Sequence, residues 1–155
     1  MQKNNLIDEI DRRILRVLSR DGRASLQEIG KQVGLSSSPC WQRIKRMEEA
    51  GVIQGYQAKI DMTELGYGEG LIVMVTLDQH GDEVLHKFEQ ALAEIPEVIE
   101  AYLVSGEYDY FLRLAVRDTR DYERLLREKL YKIPGLRHSV SSFVLRQLKA
   151  ASVPL

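Results

Sequence analysis

The sequence predicts an α+β protein of two modules, an N-terminal helix-turn-helix followed by a β-α-β-β-α-β domain of the ferredoxin-like type. Apolar residues recur at helical spacing in three short segments of the first 50 residues. Beyond residue 70, apolar strands alternate with two amphipathic segments. With 155 residues and 44% apolar composition, two such modules would have small cores that favour oligomerisation.

The first helix is predicted over about residues 9–20, with Asp8 placed to cap its start and Gly22 after its end. The apolar residues sharing one face of it are Ile7, Ile10, Ile14, Val17 and Leu18. Ser25 and Glu28 have the spacing of a capping box, which predicts a short second helix that ends at Gly34.

A third helix is predicted from Ser37-Ser38-Pro39 to about Ala50, because serine suits an N-cap and proline the first helical position. Residues 52–60 have β-branched ends and are predicted to form a strand that leaves the helical unit. We therefore assign residues 1–60 to the helical module.

A glycine-containing linker over residues 61–70 leads into the second module, residues 71–155. The predicted strands are 71–77, 98–105, 110–116 and 139–148, and the intervening helices end at Pro96 and Pro134. This order predicts an antiparallel four-stranded sheet with both helices on one face. The other face, expected to carry Val73, Val75 and Leu114, would be covered by a second copy of the domain.

Composition limits the class of protein. The formal net charge of -1 conceals a basic first part, with 11 Lys/Arg against 7 Asp/Glu in residues 1–60, and an acidic remainder, with 11 against 16. This asymmetry favours contact of the first module with phosphates. The single cysteine, the three scattered histidines and the absence of a leader-like or membrane-length apolar run predict a cytoplasmic protein without a disulfide framework, metal site or cofactor.

On the third helix, the apolar stripe of Cys40, Ile44 and Met47 must face the other two helices. The opposite face then carries side chains that can address base edges in the major groove, and its flanks carry arginines that can reach phosphates. The candidate DNA-contacting residues are Ser37, Ser38, Trp41, Gln42, Arg43, Lys45 and Arg46. The alternatives are a solvated charged face for the cations and a helix-covering role for Trp41, while Cys40 is expected to be a packed core thiol.

The stretch from Leu35 to Tyr56, LSSSPCWQRIKRMEEAGVIQGY, closely resembles the recognition helix and following strand of the leucine-responsive regulatory protein/AsnC family, also called feast/famine regulators. The resemblance continues in DEIDRRIL from Asp8, VSGEYDY from Val104 and the Pro134-Gly135 pair. It implies a prokaryotic, winged helix-turn-helix transcription regulator that senses a small metabolite, an amino acid above all. It also implies dimers that assemble into tetramers, octamers or larger discs.

The same resemblance places Gly106, Tyr108 and Asp109 at the effector pocket, which in this family lies between subunits, and more loosely Ser139 and Ser141. A glycine lets a ligand carboxylate approach backbone N–H groups, and a carboxylate can hold an ammonium. Without the resemblance, residues 106–109 would be interpreted only as a turn. Trp41 and Met47 depart from the family pattern, so the operator preference is expected to differ.

Two other function classes remain open at this point. An architectural protein would bind many DNA sequences alike and ignore amino acids. An enzyme is disfavoured because His80, His86 and His138 lie on different elements without metal-ligand spacing, although sirohaem decarboxylases use a related fold. The expected partners are therefore a roughly palindromic DNA operator, an amino-acid-like effector and further copies of the chain. The protein itself is expected to be associated with the nucleoid.

Overall fold

The computed structural model describes residues 7–150 and 154–155, which form two compact units. One unit runs to Lys59 and includes the described residues that follow Leu148, and the other spans Ile60–Leu148. None of the helices in these described ranges is long and apolar enough to cross a membrane.

The N-terminal unit contains the three predicted helices, α1 (Glu9–Arg20), α2 (Leu26–Val33) and α3 (Ser37–Glu49). The predicted caps of α1 and α2 are confirmed, since Asp8 and Ser25 each accept a backbone N–H from the third residue of their helix. The prediction that α3 starts with Pro39 as its first residue was wrong, because Ser36 is the N-cap. Pro39 still lies in the first turn, where its missing N–H has no intrahelical acceptor.

The three helices enclose a small core, and their buried side chains are Ile14, Ile29, Val33, Cys40, Ile44 and Met47. The turn between α2 and α3 packs directly on Gly30, where an added Cβ would lie 2.4 Å from the carbonyl oxygen of Leu35. The Leu35 N–H donates to the Gly30 carbonyl oxygen at 2.9 Å. The close α2–α3 connection therefore depends on the absence of a side chain at residue 30.

The predicted strand over residues 52–60 is not present. The N–H groups of Val52 and Ile53 both donate to the carbonyl oxygen of Met47, so they close the end of α3 instead of starting a ladder. Ile53 packs on the helical core. A β-branched sequence favours a strand only where a neighbouring strand can accept its hydrogen bonds.

The second unit has the predicted β-α-β-β-α-β order. Its elements are β1 (Glu69–Leu77), α4 (Asp82–Ala93), β2 (Val98–Leu103), β3 (Tyr110–Val116), α5 (Thr119–Glu128) and β4 (Leu136–Phe143). The strands form one antiparallel sheet in the order β2-β3-β1-β4. The predicted fold class is thus confirmed.

Four elements in this unit have boundaries that differ from the predictions. The last strand runs over Leu136–Phe143 instead of residues 139–148, because its ladder partners are the residues of β1. The second strand ends at Leu103 instead of residue 105. The last helix stops at Glu128 and is followed by a short 3-10 helix over Leu130–Lys132, and the first strand begins two residues inside the expected linker.

The prediction for the two faces of the sheet was wrong. Val73, Val75 and Leu114, which were expected on the uncovered face, are fully buried in the core with the apolar sides of α4 and α5. Because strand side chains alternate, the opposite face carries the intervening residues of β1, Ile72 and Met74, which are partly exposed. Apolar side chains lie on both faces of β1, so the sequence pattern did not show which face is turned towards the helices.

Candidate DNA-binding and effector sites

The buried stripe of α3 orients its outer face. Cys40, Ile44 and Met47 lie in the helical core, which confirms the inward face, and burial raises the pKa of the Cys40 thiol. The predicted base-reading residues Ser38, Gln42 and Lys45 are exposed on the other side of the helix. The outer face of α3 thus presents hydroxyl, amide and ammonium groups to solvent.

Trp41 is the largest side chain on this outer face and is half exposed. The Lys45 ammonium lies 5.1 Å from the centre of its ring, in the arrangement of a cation–π contact. Lys45 also lies 3.7 Å from a carboxylate oxygen of Glu49, an exposed pair that restrains it little. Both Trp41 and Lys45 can therefore reach a ligand lying along α3.

Both arginines of α3 form ion pairs within the N-terminal unit, which the sequence pattern does not indicate. Arg43 donates to Asp8 at 2.6 Å and to Asp11 at 2.8 Å, and Arg46 donates to Asp11 at 2.6 Å. The hydrogen bonds that Arg43 donates to the carboxylates of Asp8 and Asp11 raise its pKa. The arginines connect the recognition helix to the start of α1, and their predicted phosphate contacts remain untested.

Asp11 is the buried charged residue of the N-terminal unit, with a side chain that has no solvent exposure. Its oxygens accept the Asp8 backbone N–H at 3.0 Å in addition to the two guanidinium groups. A buried carboxylate is tolerated when its oxygens are satisfied in this way. An aspartate in the first turn of an amphipathic helix, in a position that should be apolar, was the only sequence signal for it.

We expect the N-terminal unit to lose stability as the pH falls from about 4 towards 2. The backbone N–H of Asp11 and the Arg43 guanidinium lower the pKa of Asp8 from 3.8 to about 2. A carboxylate with a lowered pKa in the folded state stabilises the fold above its unfolded pKa, and this contribution is lost as the pH falls through the folded value. Circular dichroism melts across this range should show a shallower fall in Asp8→Asn than in Glu9→Gln. Equal falls in the two variants would assign the effect to other groups.

Asp109 is tightly engaged at the start of β3. One carboxylate oxygen accepts the Leu77 backbone N–H at 2.7 Å, and the other lies 2.9 Å from Nε2 of His80. The backbone of Asp109 is fixed as well, since its N–H donates to Val75 and its carbonyl oxygen accepts from Val104. The predicted ammonium-binding carboxylate therefore has a fixed position and already holds a nitrogen-bearing group.

A polar cleft of about 500 Å³ lies beside this turn, lined by Thr76, Glu107, Tyr108, Arg137 and His138. It contains a predicted effector residue, Tyr108, and groups of both charge signs. Gly106, two residues before Tyr108, has a φ of 127°, a backbone conformation that residues other than glycine rarely adopt. Sequence reasoning missed Arg137 and His138, whose position just before the predicted last strand was the available signal.

Ser139 and Ser141 do not line this cleft. They lie opposite Val75 and Val73 in the ladder, which puts them on the side of the sheet that faces the helices. The Ser141 hydroxyl is hydrogen-bonded to the hydroxyl of Tyr122 on α5. Of the five predicted effector residues, Tyr108 is the one that lines the cleft, and Gly106 and Asp109 lie close to it in the chain without lining the cleft. Among the described residues, no group of three or more His, Cys, Asp or Glu side chains is arranged to hold a metal ion.

Comparisons with known proteins cover both units. Residues 71–154 match the family described as the Lrp/AsnC ligand binding domain, and residues 7–54 match winged helix-turn-helix DNA-binding domains. The second match includes α1, α2 and α3, and the first includes the sheet from residue 71 onward and the residues that line the cleft.

Individual relatives match over nearly their whole length. The chain is 34% identical to the DNA-binding transcriptional activator DecR of Escherichia coli K12, over 97% of this chain and 99% of that protein. It is 38% identical to the leucine-responsive regulatory protein of the same organism, over 94% and 89%. A transcriptional regulator of Neisseria meningitidis, solved in complex with L-methionine, superposes with a TM-score of 0.91 at 30% identity and covers 96% of both chains.

Proposed function

The chain belongs to the Lrp/AsnC family of DNA-binding transcription regulators, and we propose that α3 reads an operator in double-stranded DNA while the cleft beside Asp109 binds an amino acid. The observation that carries the first part is the division of α3 into a fully apolar buried stripe and an exposed face of groups that can hydrogen-bond to bases. The proposed contacts are those of Ser37, Ser38, Trp41, Gln42, Arg43, Lys45 and Arg46.

The DNA-binding form is proposed to be at least a homodimer. The uncovered sheet face carries half-exposed apolar side chains, among them Tyr102 and Val140, which a second copy would remove from water. A two-fold dimer would present two α3 helices to half-sites one helical turn apart, about 34–36 Å, and hence to a roughly palindromic operator. Further assembly into tetramers or octamers is proposed from the family, together with a cytoplasmic, nucleoid-associated location.

Substituting Gln42 tests the base-reading role. Glutamine can bond an adenine through two hydrogen bonds, and a good contact of this kind is worth about 1–3 kcal/mol of discrimination. We therefore expect the preference for adenine over other bases, at one operator position per half-site, to fall roughly 5- to 150-fold in Gln42→Ala. Selection of binding sites from a random DNA pool, followed by affinity measurements on the selected sites, gives this ratio.

Gln90→Ala is the matched control, since Gln90 is an exposed helical glutamine of the other unit. It should leave the selected operator unchanged. An unchanged operator in Gln42→Ala as well would remove Gln42 from the base-reading set.

The effector proposal depends on the charges around the cleft. Arg137, in the cleft lining, is proposed to bind a carboxylate, and Asp109, which follows the lining residue Tyr108 but is not itself part of the lining, is proposed to bind an ammonium. These are the two charged groups that every α-amino acid has, and the related Neisseria regulator was solved with L-methionine. Gly106 and Tyr108 are proposed to border the ligand. Ser139 and Ser141 remain predictions that require a pocket completed by another subunit.

A thermal-shift screen against the twenty amino acids tests the sensor role, because a ligand that binds only the folded state raises the melting temperature. Ligand at 100 times its Kd should stabilise the fold by about 2.7 kcal/mol. The absence of any shift at millimolar concentrations would favour an architectural DNA-binding role without an effector.

A further inference from the structure

The carboxylates of Asp8 and Asp11 hold the two arginines of α3, the helix proposed to bind DNA. Two of the three cations on α3, Arg43 and Arg46, direct their guanidinium groups to these aspartates at 2.6 to 2.8 Å. A carboxylate and a phosphate offer arginine the same kind of charged oxygen acceptor at the same distance. The two aspartates therefore balance the charge of the two arginines that were expected to meet phosphates.

The two aspartates differ in exposure. Asp11 has no solvent exposure and also accepts the Asp8 backbone N–H, so no phosphate can replace it without unfolding the start of α1. The Asp8 side chain is 51% exposed, and that of Arg43 is 25% exposed. Because Asp8 is half exposed, water screens this ion pair more than it screens the pairs of the buried Asp11. The Arg43–Asp8 bond can thus be exchanged for another anion at a smaller cost than the bonds to Asp11.

Resting on the proposed role of α3 in DNA binding, we propose that Asp11 is a positioning residue for Arg43 and Arg46, and that Asp8 competes with DNA phosphates for Arg43. Asp11 fixes the two guanidinium groups beside the recognition helix. Asp8 holds Arg43 in the free protein and still competes for it in the DNA complex, so that Arg43 contacts a phosphate in only part of the wild-type complexes. Asp8 thereby limits sequence-independent affinity and its dependence on salt, while the bases read by α3 are unaffected.

The slope of log Kd against log salt concentration tests this inference, because it counts the phosphates that a protein neutralises. Asp8→Asn removes the charge and keeps a residue that caps helices well. We expect its slope to be steeper by at most about 0.9, the change for one full phosphate contact, with tighter binding to nonspecific DNA at low salt. Asp8→Ser, another good cap, should behave in the same way.

Glu9→Gln is the matched control. Glu9 lies in the same helical turn, carries the same charge and pairs with Arg16 at 3.2 Å instead of with α3. If Glu9→Gln steepened the slope as much as Asp8→Asn, the effect would be one of net charge and the inference would be overturned. An unchanged slope in both Asp8 variants, with circular dichroism showing an intact fold, would overturn it too.

A double variant tests whether Arg43 is the cation that Asp8 keeps from the phosphates. Adding Arg43→Ala to Asp8→Asn should return the slope to at most the wild-type value, and a persistent increase would overturn the inference. The proposed base-reading role is judged separately, since Gln42→Ala changes the preferred operator and not the salt slope. A steeper slope in Asp8→Asn with an unchanged operator in Gln42→Ala would retain the competition and reject the base reading.

Discussion

Replacing Gly30 with alanine is expected to destabilise the N-terminal unit and abolish operator binding. The new Cβ would lie 2.4 Å from the Leu35 carbonyl oxygen, a backbone atom that cannot rotate away. The Gly30 carbonyl oxygen accepts the N–H groups of both Gly34 and Leu35, at 2.8 and 2.9 Å. The turn can therefore move only if these bonds lengthen or break, and α3 moves with it.

Overpacking of this kind costs typically about 1–3 kcal/mol, which is a large part of the stability of a small domain. At about 2 kcal/mol the melting temperature of the unit should fall by roughly 8–16 °C. Calorimetry and operator binding measure the two effects. Gly81→Ala is the control, because an added Cβ there meets nothing within 4 Å. Wild-type melting and affinity in Gly30→Ala would show that the turn accommodates a methyl group.

Replacing Asp109 with asparagine is expected to remove the response at effector concentrations near the wild-type Kd, while DNA binding is retained. The asparagine oxygen can still accept the Leu77 N–H that Asp109 accepts at 2.7 Å, so the turn should keep its shape. The lost interaction is the charge-assisted bond to the ligand ammonium, which contributes about 1.5–3 kcal/mol. Effector affinity should thus fall roughly 10- to 150-fold.

Isothermal titration with the amino acid identified by the thermal-shift screen measures this loss. Asp82→Asn is the control, since Asp82 is an exposed aspartate at the start of α4. His80 lies 2.9 Å from the other oxygen of Asp109 and is the group that the ligand ammonium would displace. Unchanged effector affinity in Asp109→Asn would remove this carboxylate from the proposed site.

Most of the fold was predictable because its signals are local. The capping box of Ser25 and Glu28 and the apolar stripe of Cys40, Ile44 and Met47 identify helices from residues a few positions apart. The strand from Tyr110 to Val116 was predicted with its observed bounds. Strand ends were less predictable, since the last strand extends only as far as its pairing with β1. Residues 52–60 have no neighbouring strand among the residues that the structure describes.

By itself, the sequence determined the order of the elements, the inward stripe of α3 and the set of groups on its outer face, because each depends on the spacing of nearby residues. The tertiary structure decided which residues of β1 face the helices and which carboxylates hold Arg43. It also placed the Ser141 hydroxyl in a hydrogen bond with Tyr122 and not in the lining of the cleft. Asp8 and Arg43 are 35 positions apart, and both alternating sets of β1 are apolar. Such partners are selected by packing and charge in three dimensions, and no local periodicity identifies them.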